Sequence, residues 1–231
     1  MAVDQPNVAS LLFKANEGSF LTGVIGGMMT QTAKVGFVGG MDIPLIQDFF
    51  IGYRAGAKWA NASVTVLDPV FVGGWADPTK GKELAISLIG LGADAIFAAA
   101  GKSGLGALEA IHENEKIGFG VDSCQDYLYP EIKASMTKRV DIAVFEMVKA
   151  AVISKVLPKL DVESGGFEGG YHNKGVAEKW TGCSRLPEEE GVWEATYNFT
   201  ETPLPSNVLS KLTEARDKII SGNITVPSAY T

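Results

Sequence analysis

Cysteine and histidine are scarce in this chain: two of each in 231 residues. Neither histidine, His112 nor His172, has a cysteine or carboxylate neighbour at metal-ligand spacing, so no zinc or other metal site is expected. Cys124 and Cys183 leave the redox compartment open, because sequence does not place them within bonding distance; two separate thiols is the expectation. Basic charge is also short. The formal charge of −7 argues against a surface that neutralises phosphate backbones, and nucleic acid is not an expected partner. No apolar run is long enough to cross a bilayer: Phe20 to Met29 is short and interrupted by Thr22, Gly23, Gly26 and Gly27. Met1 is followed by no basic n-region, signal h-region or lipobox cysteine. No internal repeat or long linker interrupts the chain.

What is abundant is glycine. Twenty-seven glycines, well above the roughly 7% of average usage, fall singly or in pairs between apolar segments, which reads as strand-to-helix turns. Strands are predicted at Asn7 to Phe13, Lys34 to Val38, Ser63 to Leu67, Ala95 to Ala100, Ile117 to Val121 and Lys133 to Met136. Helices are predicted at Gly18 to Thr30, Pro44 to Ala60, Thr79 to Leu91, Gly104 to Asn114 and from Val140 to a bound at Pro158. Alternating strands and helices with no hairpin signal imply an α/β fold with a parallel sheet covered on both faces. Leu160 to Pro205 is expected to be irregular, with short strands and loops. Val208, Leu212, Ala215 and Ile219 then mark a last amphipathic helix, started at Ser206 or Asn207 and stopped before Gly222, whose stripe is core packing.

The segment KVGFVGGMD, Lys34 to Asp42, ends a strand in paired glycines, where backbone approaches a ligand closely in open α/β sheets. GKSGLG, Gly101 to Gly106, lies between a strand and a helix but is no phosphate loop, since that pattern needs glycine where Ile96 stands. It is no nucleophile elbow either, because Leu105 occupies the second glycine position. A structural turn remains, whose backbone N–H groups and Ser103 hydroxyl are able to hold a neutral polar ligand at a helix N-terminus. Asp122 follows a strand directly, at the edge where crevices form, and a carboxylate there accepts two hydrogen bonds from vicinal hydroxyls; an N-cap or turn role is the equal alternative. Lys138 and Arg139 stand at the start of the helix at Val140, against its macrodipole, either screened by Asp141 or held there by a ligand.

The motifs FKANEGSFLTGVIGG, KVGFVGGMD, DPTKGKELA, GADAIFAAAGKSGLG, GVDSCQDYLYP and MTKRVDIAVFEMVKAA, with a weaker echo in EARDKIISGNITVP, follow one order. In them the chain resembles the basic membrane protein family, the substrate-binding lipoproteins of ABC importers, many of them nucleoside receptors. The resemblance implies a type I periplasmic-binding-protein fold, a nucleoside or similar small aromatic solute as ligand, and an ABC permease as partner. No catalysis and no cofactor are expected, and the location implied is extracytoplasmic and membrane-associated. Carried onto this sequence, it places Phe49 against the base, Gly101 in backbone contact with the ligand, and Asp122 with Lys138 on the sugar; Asp42, Trp75 and Ser103 are secondary candidates.

Family members have two α/β lobes. The resemblance implies that residues 32–135 form the second lobe, that 1–31 and 136–175 are a remnant of the first, and that 176–231 are an irregular segment and helix. It also implies that the family's opening ligand-contacting segment has no counterpart here, so weak or no binding by this chain alone is the expectation. The alternative reading is a cytosolic α/β sensor or enzyme acting on a sugar or nucleotide, because fold alone does not fix function.

Overall fold

The structure, a computed structural model, describes residues 5, 7–156, 170–186, 188, 189, 192 and 203–230. The main sheet is built from β2 (Lys34–Gly39), β3 (Thr65–Val66), β4 (Val70–Phe71), β5 (Ala95–Ala99), β6 (Ile117–Gly120), β7 (Ile132–Lys138) and β9 (Thr181–Cys183). Their order is β3-β2-β5-β6-β7-β9, with β4 also on β2, and every pairing is parallel except β7 with β9. A second, two-stranded parallel sheet pairs β1 (Ala9–Phe13) with β8 (Gly170–Lys174).

The central strands carry apolar residues at every step because both sheet faces are covered. Val35, Phe37, Ala95, Phe97, Ala99 and Phe119 join the core under α1 (Ala15–Met29), α2 (Pro44–Ala60) and α6 (Ser206–Ile220). Val38, Ile96, Ala98 and Ile132 face the opposite way, towards α3 (Pro78–Gly90) and α4 (Lys102–Glu113). The expected strand Ser63 to Leu67 is instead two short pieces. Leu67 still donates to Val35 O at 2.9 Å, but Pro69, which has no N–H to give, separates β3 from β4 on this edge. The antiparallel β9 is a departure from the expected all-parallel pattern.

Three expected boundaries do not separate packed units. Helix α1, assigned by sequence to the first lobe, packs on α2 and shares one apolar cluster with β2, β5 and β6. The division at residues 135 and 136 falls inside β7. The C-terminal part is also built into the main body: Val208, Leu212, Ala215 and Ile219 of α6 are buried as expected, and Gly222 takes φ +73 just beyond the helix. The following tail is anchored on buried Asp48, which accepts from Ser228 Oγ at 2.6 Å and Ala229 N at 3.0 Å. Of the stretch expected to be irregular, β8 and β9 are described, whereas residues 157–169, 187, 190, 191 and 193–202, including Pro158, lie outside the described residues.

Glycine allows the α1–α2 crossing. A Cβ on Gly56 would stand 2.0 Å from Phe20 O, and one on Gly23 would stand 2.1 Å from Tyr53 O. Gly56→Ala must therefore separate two packed helices, and a loss of about 2 kcal/mol is expected. Urea denaturation reads it as a lower midpoint; an unchanged midpoint contradicts the close crossing.

Helix α5 (Val140–Val156) mixes exposed apolar residues with the exposed charges of Asp141 and Lys149. Val144, Phe145, Val148 and Val152 are exposed on it, the phenylalanine by 67%, whereas Ala143 is buried.

Candidate functional site

Parallel strands send their carboxyl ends to one edge, and the register here brings those ends level. Gly39 pairs with Ala99, Phe97 with Phe119, and Gly120 with Ser135. The residues that follow, Gly40, Gly101 and Asp122, thus emerge on the same edge as Lys138, the last residue of β7.

Trp75 is an exposed aromatic of this edge, with 41% of its surface open. Its loop is tied down by Gly73 N and Gly74 N, which donate to Gly40 O at 2.8 and 3.1 Å. The indole lies over Gly40, where an added Cβ would meet Trp75 Cζ3 at 2.2 Å, and the Trp75 carbonyl lies 3.3 Å from the position a Cβ on Gly101 would take. Gly101 itself has φ +57 at the head of α4, a conformation unfavourable to any other residue. One face of the Trp75 ring is thereby seated on glycine backbone.

Ser103 is corrected by the structure. Its hydroxyl is fully buried, accepts from Asp77 N at 2.9 Å and donates to Gly74 O at 3.3 Å, so it fastens the Trp75 loop and has no route to a ligand. Asp42 is exposed on the same edge and accepts from Gln47 Nε2 at 2.6 Å.

Phe49 is also corrected, as a stacking surface. The resemblance places it against the base, but Phe49 and its neighbour Phe50 are 2% and 6% exposed. Helix α2 lies flush on the sheet, so Ile46, Phe49, Phe50, Tyr53 and Ala57 all turn inward. Phe49 packs 6.3 Å from Phe97, and the Lys138 ammonium lies 4.6 Å from its ring centroid.

Asp122 and Lys138 meet as expected. Asp122 Oδ1 lies 2.9 Å from Lys138 Nζ, and Lys138 N donates to Asp122 O at 2.9 Å. The carboxylate is the open partner: its side chain is 58% exposed against 18% for Lys138. Asp122 also has φ +67, a left-handed conformation uncommon outside glycine although tolerated by aspartate. Lys138 belongs to a strand and not to a helix start, so the argument from the helix dipole applies to Arg139 instead. Arg139 Nη2 pairs with Asp141 Oδ2 at 2.7 Å; this contact raises the guanidinium's pKa and holds the Asp141 carboxyl below its usual range.

Sequence reasoning missed a buried polar network behind this edge. Asp126 accepts from Ser135 Oγ at 2.6 Å and Ser184 Oγ at 2.7 Å and lies 3.1 Å from Arg185 Nε. Burial pushes the Asp126 carboxyl up, against the pull of Arg185 and the two serines. Arg185 lies far from Asp126 in sequence, and no periodicity links them. Neither cysteine is in a disulfide; both are buried, and burial pushes the Cys183 thiol well up. Among the described residues no group of three or more His, Cys, Asp or Glu side chains is placed to hold a metal ion, and no helix is long and apolar enough to cross a membrane. A cavity of about 190 Å³ lies beside the Lys138 end of this edge, between the start of α5 and β9, lined in part by Arg139, Val176, Thr181 and Glu189.

Known proteins match this chain along most of its length. "Basic membrane protein D" of Borreliella burgdorferi is 36% identical over 154 residues, 65% of this chain and 45% of the relative. "ABC transporter nucleoside-binding protein BmpA" of Lactococcus lactis is 32% identical over 235 residues, 97% of this chain and 62% of the relative. The chain thus spans about half to just under two thirds of these curated relatives. A solved ABC transporter solute-binding protein from Aeropyrum pernix superposes with a TM-score of 0.70 at 28% identity, over 97% of this chain and 68% of the other. The α/β architecture is accordingly that of periplasmic-binding-protein-type solute receptors. With the Bmp family model, described as ABC transporter substrate-binding protein PnrA-like, matching residues 1–228, the chain belongs to that family of substrate-binding proteins.

Proposed function

We propose that the carboxyl edge of the main sheet binds a nucleoside, with Asp122 and Lys138 on the sugar and Trp75 beneath the base. The observation that carries this reading is the Asp122–Lys138 pair at 2.9 Å, with its carboxylate open to solvent at the edge of a parallel sheet. A carboxylate accepts two hydroxyl hydrogen bonds, and the neighbouring ammonium is able to donate to a hydroxyl itself. Strands β2 and β6 are separated by β5 alone, so their ends stand about 10 Å apart, room for a base and its sugar side by side. Gly101, just beyond the end of the strand between, offers backbone at the middle of that span. Phe49 serves as the floor under Lys138.

The reading extends to a two-lobed importer component. Parallel sheets are covered on both faces and seldom stop at two strands, yet among the described residues β1 and β8 stand as a pair, and α5 presents Val144, Phe145, Val148 and Val152 to solvent. The rest of a first lobe packs there, closes on the ligand by hinge motion, and presents the closed form to an ABC permease outside the cytoplasm. The match to a protein named as nucleoside-binding supports the ligand class.

Fluorescence tests the Trp75 assignment. Purine nucleosides are expected to quench tryptophan emission saturably, and Trp75→Leu to remove most of the quench with about tenfold weaker binding, the scale of one aromatic–base stack. Equal quenching in the variant removes Trp75 from the site.

A further inference from the structure

We propose that the buried Asp126–Arg185 pair, through Ser135 and Ser184, is a positioning device that sets Asp122 for sugar recognition; this inference rests on the nucleoside reading. The loop from Val121 to Asp126 is held from both sides. Val121 N donates to Gln125 Oε1 at 2.8 Å, Gln125 N donates to Ser135 Oγ at 2.9 Å, and the Ser135 hydroxyl donates to Asp126 Oδ1 at 2.6 Å. On the far side, Ser184 Oγ donates to Asp126 Oδ2, accepts from Ser135 N at 2.8 Å, and so ties the loop to β7 and to the end of β9. Arg185 completes the clamp by donating to Lys133 O at 2.7 Å.

Two physical arguments separate this from ordinary core structure. A buried ion pair is often replaceable by apolar side chains without loss of stability, so stability alone is a poor reason to place one here; fixing a geometry is a better one. In addition, Asp122 is held at φ +67, and a non-glycine residue keeps such a conformation only where its surroundings over-determine it. The network supplies that constraint from within four residues. Neither serine reaches the open edge, since both are fully buried.

Ser135→Ala tests the inference, with Ser184→Ala as a second variant should the first not fold. Hydrogen exchange of the Val121–Gln125 amides is expected to quicken while the amides of β5 stay protected. Affinity for a purine ribonucleoside, followed by NMR titration, is expected to fall about tenfold, the worth of a misplaced charged hydrogen bond, while that for the free base is unchanged. Equal losses for nucleoside and base, unaltered nucleoside affinity, or unaltered loop exchange each overturn the positioning role and leave the nucleoside reading standing. Absence of nucleoside binding by the parent chain removes that reading and this inference together.

Discussion

Asp122→Ala is expected to abolish the sugar-dependent part of nucleoside binding while the protein stays folded. Two hydrogen bonds to an ionised carboxylate, at about 1.5 kcal/mol or more each, amount to a loss of roughly a hundredfold in affinity. The carboxylate also holds Lys138 Nζ at 2.9 Å, so its removal frees the ammonium from the geometry in which it faces a ligand. Because Asp122 lies at φ +67, alanine introduces backbone strain that asparagine tolerates better; Asp122→Asn therefore separates charge from conformation. Asparagine is expected to retain an intermediate affinity, since it keeps one acceptor oxygen and loses the charge. Titration with a ribonucleoside and its free base reads the effect. Unchanged nucleoside affinity in the alanine variant takes Asp122 out of the site.

Arg185→Met is expected to produce the largest loss of stability, about 3–5 kcal/mol, because it leaves the Asp126 carboxylate buried without its cation. The sign of the pH dependence follows from the direction of the Asp126 shift. Burial raises this carboxyl in the folded state, so the folded protein holds a proton that the unfolded chain releases, and stability falls as pH rises from the ordinary carboxylate range through the raised folded value. Without Arg185 to oppose burial, the shift grows. The deficit of the variant relative to the parent is therefore smaller at pH 5 than at pH 8, measurable by urea unfolding at both values. Replacing both partners, Asp126→Leu with Arg185→Met, is expected to recover much of the loss. A deficit that does not change with pH argues against a charged, buried Asp126.

The sequence carried the βα alternation because strands covered on both faces must be apolar throughout, as Ala95 to Ala99 are, and because glycine and Asp-Pro turns mark their ends. Asp122 at the end of a strand was legible as well, whereas its pairing with Lys138 came only from the family resemblance; in the fold the two meet because Asp122 follows β6 and Lys138 closes β7 on one edge. Phe49 was placed against the base by the resemblance, and sequence pattern alone does not say which way it faces. Phe49 and Phe50 are adjacent, and which of two neighbouring aromatics leaves the core depends on the roll of α2 about its axis; here both are packed. Lys138 was placed on a helix because Val140 begins one, yet β7 runs two residues further than its apolar signal. The boundary at residue 31 came from the resemblance, and sequence did not show that Gly23 and Gly27 let α2 approach α1 across it. The Asp126–Arg185 pair and the antiparallel β9 join positions far apart in the chain, and only the fold brings them together.

Of weak or no binding by the chain itself, the open Asp122–Lys138 pair favours weak binding, about 1 mM or somewhat tighter. That makes NMR titration the direct measurement. Amide shifts are followed while adenosine or inosine is added to the chain, with ribose and free base as references. The account predicts saturable shifts confined to Gly40, Trp75, Gly101, Asp122 and Lys138, larger for the nucleoside than for either part. Shifts centred instead on the cavity at Arg139 and Thr181, or none at millimolar nucleoside, contradict the central claim that this sheet edge is the sugar and base seat of a solute receptor.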